Sequence, residues 1–152
     1  MINKSAGSSF RANTDYINFP YQTNVHTDAA LTGITSYYYT LQNSTSVSIL
    51  SAIDPDNYDN GGTLTALAPN KYHIQRIFYY PVSNIISIMY AQQFYTTMDD
   101  AISNYDMENV IFNSDLMDGS VLRCFLVLKS TATDLTASSA RFIPAHRFHN
   151  VY

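Results

Sequence analysis

The chain has 152 residues, of which 46% are hydrophobic and 13% are charged, so we expect one globular domain with a sizeable buried core. Thirteen Tyr and eight Phe occur beside no Trp, and this aromatic, weakly charged composition is typical of β-rich proteins. The formal net charge is −4, and Lys and Arg do not cluster in the sequence. Nucleic acid is therefore disfavoured as a partner, because its phosphate backbone requires a basic surface. No apolar run is long enough to span a membrane, so no membrane span is predicted.

Residues 1–30 predict an extended N-terminal arm. They show no sustained hydrophobic period, and they lack the apolar core of a signal peptide, so we expect synthesis and assembly in a reducing cytosol. A disordered tail is the alternative, but such a tail would lack aromatic residues. We expect the arm to contact a partner through its aromatic side chains, which are Phe10, Tyr16, Phe19 and Tyr21.

Residues 31–152 are expected to form a single β-rich domain. Its first strands, residues 34–41 and 47–53, alternate apolar and polar side chains and are separated by a short polar segment, so they predict a hairpin. A block of turn-forming residues follows at 54–62, and residues 63–67 predict a short strand.

Two long strands are predicted at residues 72–80 and 85–94. In the first of them, odd-numbered and even-numbered residues should lie on opposite faces of a sheet. Pro81 should end this strand, because proline cannot donate to a ladder of hydrogen bonds. Residues 82–84 then provide the turn to the second strand.

A short helix is predicted over about residues 97–106. Thr97 is a favourable N-cap, and Asp100, three residues later, completes a capping-box pattern. The helical stripe of apolar residues consists of Met98, Ala101, Ile102 and Tyr105.

The C-terminal part predicts a central strand and an edge strand. Residues 121–129 are apolar on both faces, which favours a position in the middle of a sheet, and the one cysteine, Cys124, is interpreted here as a small buried apolar side chain. Residues 110–112 predict a short strand, and residues 131–139 a loop in which Asp134 caps backbone amides. Residues 141–143, and a further segment at 147–151, should finish the fold. The predicted fold class is therefore mainly β: an antiparallel β-sandwich-like domain with one short helix and an extended N-terminal arm.

The sequence gives no catalytic, cofactor or metal motif. The acidic block at 54–62 fails the EF-hand pattern, because Tyr58 stands where a ligand such as Asp or Asn is needed and Thr65 stands where an acidic residue is needed. A looser calcium site stays open as an alternative to a turn built from Asp and Asn. Ser, His and Asp occur without a Gly-x-Ser-x-Gly elbow. We interpret the four histidines as exposed or hydrogen-bonded residues and expect no enzyme activity.

The tyrosine-rich strands are open to two interpretations. They form either an interface or glycan-facing platform, or the ordinary packing of a sheet. The candidate interface or glycan-facing residues are Tyr37, Tyr38, Tyr39, Tyr58 and Tyr79.

A series of short strings runs through residues 31–150. They are residues 76–81 (RIFYYP), 90–95 (YAQQFY), 100–102 (DAI), 127–135 (VLKSTATDL) and 140–145 (ARFIPA), with Phe148 and, upstream, residues 31–36 (LTGITS) and 61–62 (GG). Together they resemble a module of virion appendages, found in tail-fibre and other structural proteins of tailed bacteriophages and in large DNA viruses.

The resemblance implies a non-enzymatic virion structural protein at a tail, neck or capsid-surface position. It also implies assembly in the host cytoplasm as a homotrimer, with other virion structural proteins as partners and no cofactor. A carbohydrate- or receptor-binding module that recognises a host-surface glycan is the alternative function.

Overall fold

A computed structural model of the chain describes residues 5–10, 25–28, 30–43, 48–117 and 119–145. The strands in this part are β1 (Gly7–Phe10), β2 (Val25–Asp28), β3 (Tyr37–Thr40), β4 (Ser48–Leu50), β5 (Asn57–Asn60), β6 (Thr63–Ala66), β7 (Tyr72–Tyr80), β8 (Ile85–Met89), β9 (Phe94–Tyr95), β10 (Val121–Lys129) and β11 (Ala140–Pro144). The helices are α1 (Met98–Asn104) and α2 (Ser114–Met117). The prediction of a mainly-β fold with a short helix near residues 97–106 is confirmed.

A seven-stranded sheet forms the centre of the molecule, in the order β11-β10-β7-β8-β3-β4, with the short β9 also paired to β7. β3 and β8 are parallel, while the other neighbours in this sheet are antiparallel. The parallel pair is possible because a long connection, which includes the separate hairpin β5–β6, joins the two strands. The predicted β3–β4 hairpin and the central position of β10 are confirmed.

Both faces of the sheet are covered, as the two-residue period of β7 predicts. We call one side the tyrosine face; its buried residues are Tyr37, Tyr39, Ile77, Tyr79, Ile86, Ile88, Tyr90, Leu126, Leu128 and Ala140. The other side is the helix face, where α1 and α2 bury two smaller clusters; these contain Ile74, Phe78, Met89, Ala101, Leu116 and Val127. Odd-numbered residues of β7 lie on the tyrosine face and even-numbered residues on the helix face.

A β-bulge in β10 changes which face its side chains occupy. The pairing with β7 shifts between Leu122 and Cys124, which leaves Arg123 as the extra residue. As a result Leu122 packs on the helix face, whereas Cys124 packs on the tyrosine face. Cys124 is half-buried, and burial raises the pKa of its thiol to about 11, in keeping with the interpretation as a packing residue.

Thr97 is the N-cap of α1, as predicted, whereas the Asp100 carboxylate accepts from the Thr96 hydroxyl and not from the Thr97 amide as a capping box would require. The Thr97 hydroxyl accepts a hydrogen bond of 3.1 Å from the Asp100 amide, and the Thr97 backbone is extended. Ala101 is fully buried and anchors the helix against the sheet. A seven-residue helix depends on such packing, because a helix of this length is marginal alone.

Three local predictions differ from the structure. Residues 54–62 contain a strand, β5, because Gly61 and Gly62 both have positive φ angles (62° and 90°) and so allow a tight hairpin to β6. The predicted strand 85–94 ends at Met89 and resumes only as β9. Residues 110–112 form no strand, and α2, which was not predicted, follows them.

The described arm residues form a hairpin. β1 and β2 pair with each other in antiparallel register, with Phe10 opposite Val25, and they make a sheet of their own. The other predicted arm contacts, Tyr16, Phe19 and Tyr21, lie outside the described residues, as does the predicted segment 147–151. Among the helices that the structure describes, none is long and apolar enough to cross a membrane.

Candidate interaction groove

A groove with a volume of about 640 Å³ opens on the tyrosine face. Tyr37 of β3 and Leu128 of β10 contribute to its buried base, and Ile34 lines one part of it. Residues 51–55 form what we call the first wall, and residues 132–135 form the second wall. Most of the lining is apolar, and the Ser51 hydroxyl of the first wall and the Thr133 hydroxyl and Asp134 carboxylate of the second wall add polar groups.

A buried polar network holds the first wall against the sheet. The Asp54 amide donates to the Tyr39 hydroxyl (2.9 Å), and the Gln75 side-chain amide donates to the Asp54 carbonyl (2.6 Å). The Tyr90 hydroxyl donates to the Asp54 carboxylate (2.8 Å). Burial raises the pKa of both tyrosines, so their hydroxyls stay protonated and remain donors at physiological pH.

The second wall is tied to the segment that follows the first wall. The Thr131 amide donates to the Asp56 carboxylate at 3.0 Å, across 75 residues of sequence. At the base of the same loop, the Ser130 hydroxyl accepts from the Lys71 amide (3.1 Å) and donates to the Ala68 carbonyl (2.9 Å). The Asp56–Thr131 bond thus joins the segments next to the two walls, and the Ser130 bonds hold the start of the second-wall loop against residues 68–71.

Asp134 shapes the second wall and charges its rim. Its carboxylate accepts hydrogen bonds from the Thr136 amide (3.1 Å), the Thr136 hydroxyl (2.8 Å) and the Ser139 hydroxyl (2.8 Å). These bonds lower the pKa of Asp134, so the carboxylate is ionised at neutral pH. The prediction that Asp134 caps a backbone amide in this loop is confirmed.

The acidic block beside the first wall serves as a turn scaffold. The Asp54 carboxylate accepts from the Asp56 amide (2.9 Å), and the buried Asp59 carboxylate accepts from the amides of Gln42 (2.5 Å) and Gly62 (2.6 Å). The hydrogen-bonding capacity of these side chains is thus used within the chain. In the described ranges, no three His, Cys, Asp or Glu side chains lie together as metal ligands.

His73 is a buried histidine on the same face of β7. It is fully buried, and neither ring nitrogen has a hydrogen-bond partner within the described chain. Burial lowers its pKa to about 4, against an opposing effect from the negative charge of Asp54. The expectation that each histidine is exposed or hydrogen-bonded is therefore wrong for His73, because the two-residue period of β7 turns its side chain into the core.

The helix face holds a second polar cluster. The Arg76 guanidinium forms an ion pair with the Glu108 carboxylate (2.7 Å), and both side chains are almost completely buried. Tyr95 donates to the other carboxylate oxygen (2.9 Å), and the guanidinium lies 5.7 Å from the centre of the Phe125 ring. Burial raises the pKa of Glu108 although Arg76 favours its ionised form. This cluster holds the segment after α1 against the sheet.

No family model, curated protein or solved structure matches the chain. The resemblance to virion appendages therefore stays a prediction from the sequence. The groove and its surroundings provide the structural basis on which a function can be proposed.

The five candidate tyrosines differ in how deeply they are buried. Tyr37, Tyr39 and Tyr79 are buried, with at most 3% of their surface exposed, so within one copy their rings pack in the core, and their role in an interface or towards a glycan stays a prediction. They pack in the core because both faces of the sheet are covered. Tyr37 lines the groove from below, Tyr38 is half-buried, and Tyr58 is half-buried with its ring 5.4 Å from that of Phe94 in an edge-to-face pair.

The residues that shape the groove were not predicted as a group. Ile34, Ile53 and Leu135 are apolar residues in or beside segments that were expected to be loops or strand ends. The sequence did contain one signal for these residues: they are apolar side chains in otherwise polar segments, whereas loops usually expose polar groups. Sequence periodicity does not show that the two walls, about 80 residues apart, lie side by side.

Proposed function

We propose that the chain is a non-enzymatic structural protein that assembles through protein–protein contacts, with the groove as a contact surface. The observation that carries this proposal is an open, mainly apolar groove between two walls that are fixed by internal hydrogen bonds. A preformed concave surface of this kind supports recognition of apolar side chains. Asp134, the charged residue at its rim, already accepts three hydrogen bonds from its own loop, which favours a structural role for this carboxylate over a catalytic one.

The setting that we propose is a virion, as a component of a tail, neck or capsid-surface appendage assembled in the host cytoplasm. The support for it is the series of strings along residues 31–150, which resemble appendage proteins of tailed bacteriophages and large DNA viruses. The same resemblance supports a homotrimer and contacts with other virion structural proteins. The N-terminal arm, residues 1–30, would provide attachment to the particle.

Light scattering on the purified full-length chain tests the proposed self-assembly. A homotrimer of chains of 17.1 kDa should give a mass of about 51 kDa. A mass of one chain at every concentration, from micromolar to near-millimolar, would argue against self-assembly. In particles, deletion of residues 1–30 should abolish incorporation while the domain stays folded, and normal incorporation would contradict the role of the arm.

A carbohydrate- or receptor-binding function is the second candidate. The observation in its favour is the Tyr58–Phe94 pair, in which Phe94 keeps 47% of its surface exposed and could stack on the apolar face of a sugar. A glycan array should then show binding that Tyr58→Ala abolishes. Phe142→Ala, at a 40% exposed ring on the edge strand β11, is the matched control and should bind like the wild type.

A further inference from the structure

We propose that the groove of one copy receives the aromatic segment 11–24 of a second copy. This inference rests on the proposed function and deepens it by naming the partner and the contact. It joins three observations: an open apolar groove, a hairpin that stands as a separate sheet, and the place where the arm enters the domain.

The groove presents apolar surface to an incoming chain. Ala52 is exposed, while Ile53, Ala132 and Leu135 are partly exposed along the two walls. These residues sit above the buried cluster of the tyrosine face, and Leu135 packs directly against it. An occupant with aromatic or branched side chains would remove this surface from water.

β1 and β2, which flank segment 11–24 in the sequence, pair with each other. Phe10 lies opposite Val25, so the two ends of the segment are held side by side. The apolar residues that it carries are Tyr16, Ile17, Phe19, Pro20 and Tyr21. A two-stranded hairpin alone is marginally stable in water, and neither β1 nor β2 joins the seven-stranded sheet. A further surface that covers these apolar residues would supply the missing stabilisation.

The arm enters the domain beside the groove. Leu31 and Ile34 pack against the tyrosine-face cluster, and Ile34 also lines the groove. Between this point and the middle of segment 11–24 lie about 15 residues, and even a partly extended chain of that length reaches about 35 Å. That reach is similar to the diameter of a domain of this size, roughly 35 Å, so it extends to the groove of an adjacent copy.

The surface area that such an exchange would bury is large enough for a specific contact between two copies. Three aromatic side chains bury about 150–250 Å² each. The groove surface that they cover is of similar size, so one such contact would bury roughly 900–1,500 Å² in total, which meets the lower limit of about 1,000 Å² for a specific interface.

Photo-crosslinking in the full-length chain tests this inference. Phe19 is replaced by p-benzoylphenylalanine, and chains labelled with ¹⁵N are mixed with unlabelled chains, so that crosslinks between copies are separated from those within one copy by mass. The expected crosslinks join Phe19 of one copy to residues 34–37, 51–55 or 132–135 of another. The same crosslinker at Met107, which is 70% exposed on the segment after α1, should not reach the groove.

A matched pair of variants tests the acceptor side. Ala52→Arg places a charge at an exposed groove position, and we expect it to lower the yield of the Phe19 crosslink about tenfold or more. Ala66→Arg changes an exposed alanine of β6 that is not among the residues lining the groove, and should keep the yield. Circular dichroism verifies that both variants fold.

The outcomes distinguish the inference from the proposed function. Crosslinks between copies at the groove support both. Crosslinks between copies at another surface, crosslinks within one copy, or an unchanged yield in Ala52→Arg overturn the inference, and a multimeric mass then leaves the proposed function standing. A monomeric chain without crosslinks between copies overturns the inference together with the proposed self-assembly.

Discussion

Acidification should destabilise this protein through His73. The side chain is fully buried without a hydrogen-bond partner in the described chain, and burial lowers its pKa from the ordinary value of 6.5 to about 4. In the unfolded chain the imidazole is hydrated and its pKa returns to about 6.5. Between these two values the unfolded state binds more protons than the folded state, so the free energy of unfolding falls as the pH falls. The stability is intact above about pH 6.5 and is lost progressively towards pH 4.

The magnitude follows from the difference between the two pKa values. At 1.36 kcal/mol for each pKa unit, the full loss from His73 is about 3 kcal/mol, of which about 2.5 kcal/mol is already lost at about pH 4.5. This is a large share of the 5–15 kcal/mol that is typical of a folded domain. His73→Leu removes the titrating group and replaces it with an apolar side chain of similar size. Because no hydrogen bond within the described chain is lost, this variant should be at least as stable as the wild type at about pH 7.5.

Urea unfolding at about pH 7.5 and about pH 4.5 measures the effect in both proteins. Tyrosine fluorescence and far-UV circular dichroism can follow the transition, since the chain has thirteen Tyr and no Trp. Carboxylates that titrate in the same range are present in both proteins, so the difference between the two pH responses isolates His73. We expect the wild type to lose about 2.5 kcal/mol more than His73→Leu. Equal losses in the two proteins would refute the reasoning.

Three further substitutions test other parts of the fold. Thr97→Ala should lower the free energy of unfolding by about 1 kcal/mol, because it removes the hydroxyl that caps α1, whereas Thr97→Ser should keep the stability; equal effects would contradict the capping role. Glu108→Ala should cost about 3 kcal/mol or more in a urea titration, because it leaves the buried Arg76 unpaired, and a loss below about 1 kcal/mol would argue against a buried pair. Gly62→Ala should cost more than about 1 kcal/mol, because Gly62 has a φ of +90° and an added Cβ would collide with the Asn43 side chain; a melting temperature equal to that of the wild type would contradict this.

Local patterns were sufficient to predict most strands of the central sheet and the main helix. The two-residue period of β7 assigned its side chains to the correct faces, and Thr97 marked the start of α1. Both are short-range signals that depend on neighbouring residues alone. The acidic block was likewise expected to be a turn, although its two positive-φ glycines also make a hairpin that the sequence analysis did not assign.

Long-range features were not accessible from the sequence in the same way. The parallel pairing of β3 with β8 depends on how distant segments pack, and the bulge at Arg123 has no distinctive sequence pattern. The groove is a further case, because it needs the network around Asp54 and the contact between Asp56 and Thr131, across 75 residues. The composition indicated that tyrosine side chains make many contacts. Whether a given tyrosine lies in the core or at the surface depends on which elements cover each face of the sheet. That is why Tyr39 and Tyr79 were candidates for an exposed surface and lie in the core.

The most direct test of the central claim is the solution mass of three proteins measured by light scattering at one concentration: the wild-type chain, Ala52→Arg and Ala66→Arg. If the groove is the contact through which the chain assembles, the wild type and Ala66→Arg should share a multimeric mass, and Ala52→Arg should shift towards the 17.1 kDa of a single chain. A wild type that is already monomeric, or an Ala52→Arg variant that keeps the multimeric mass, would contradict the account.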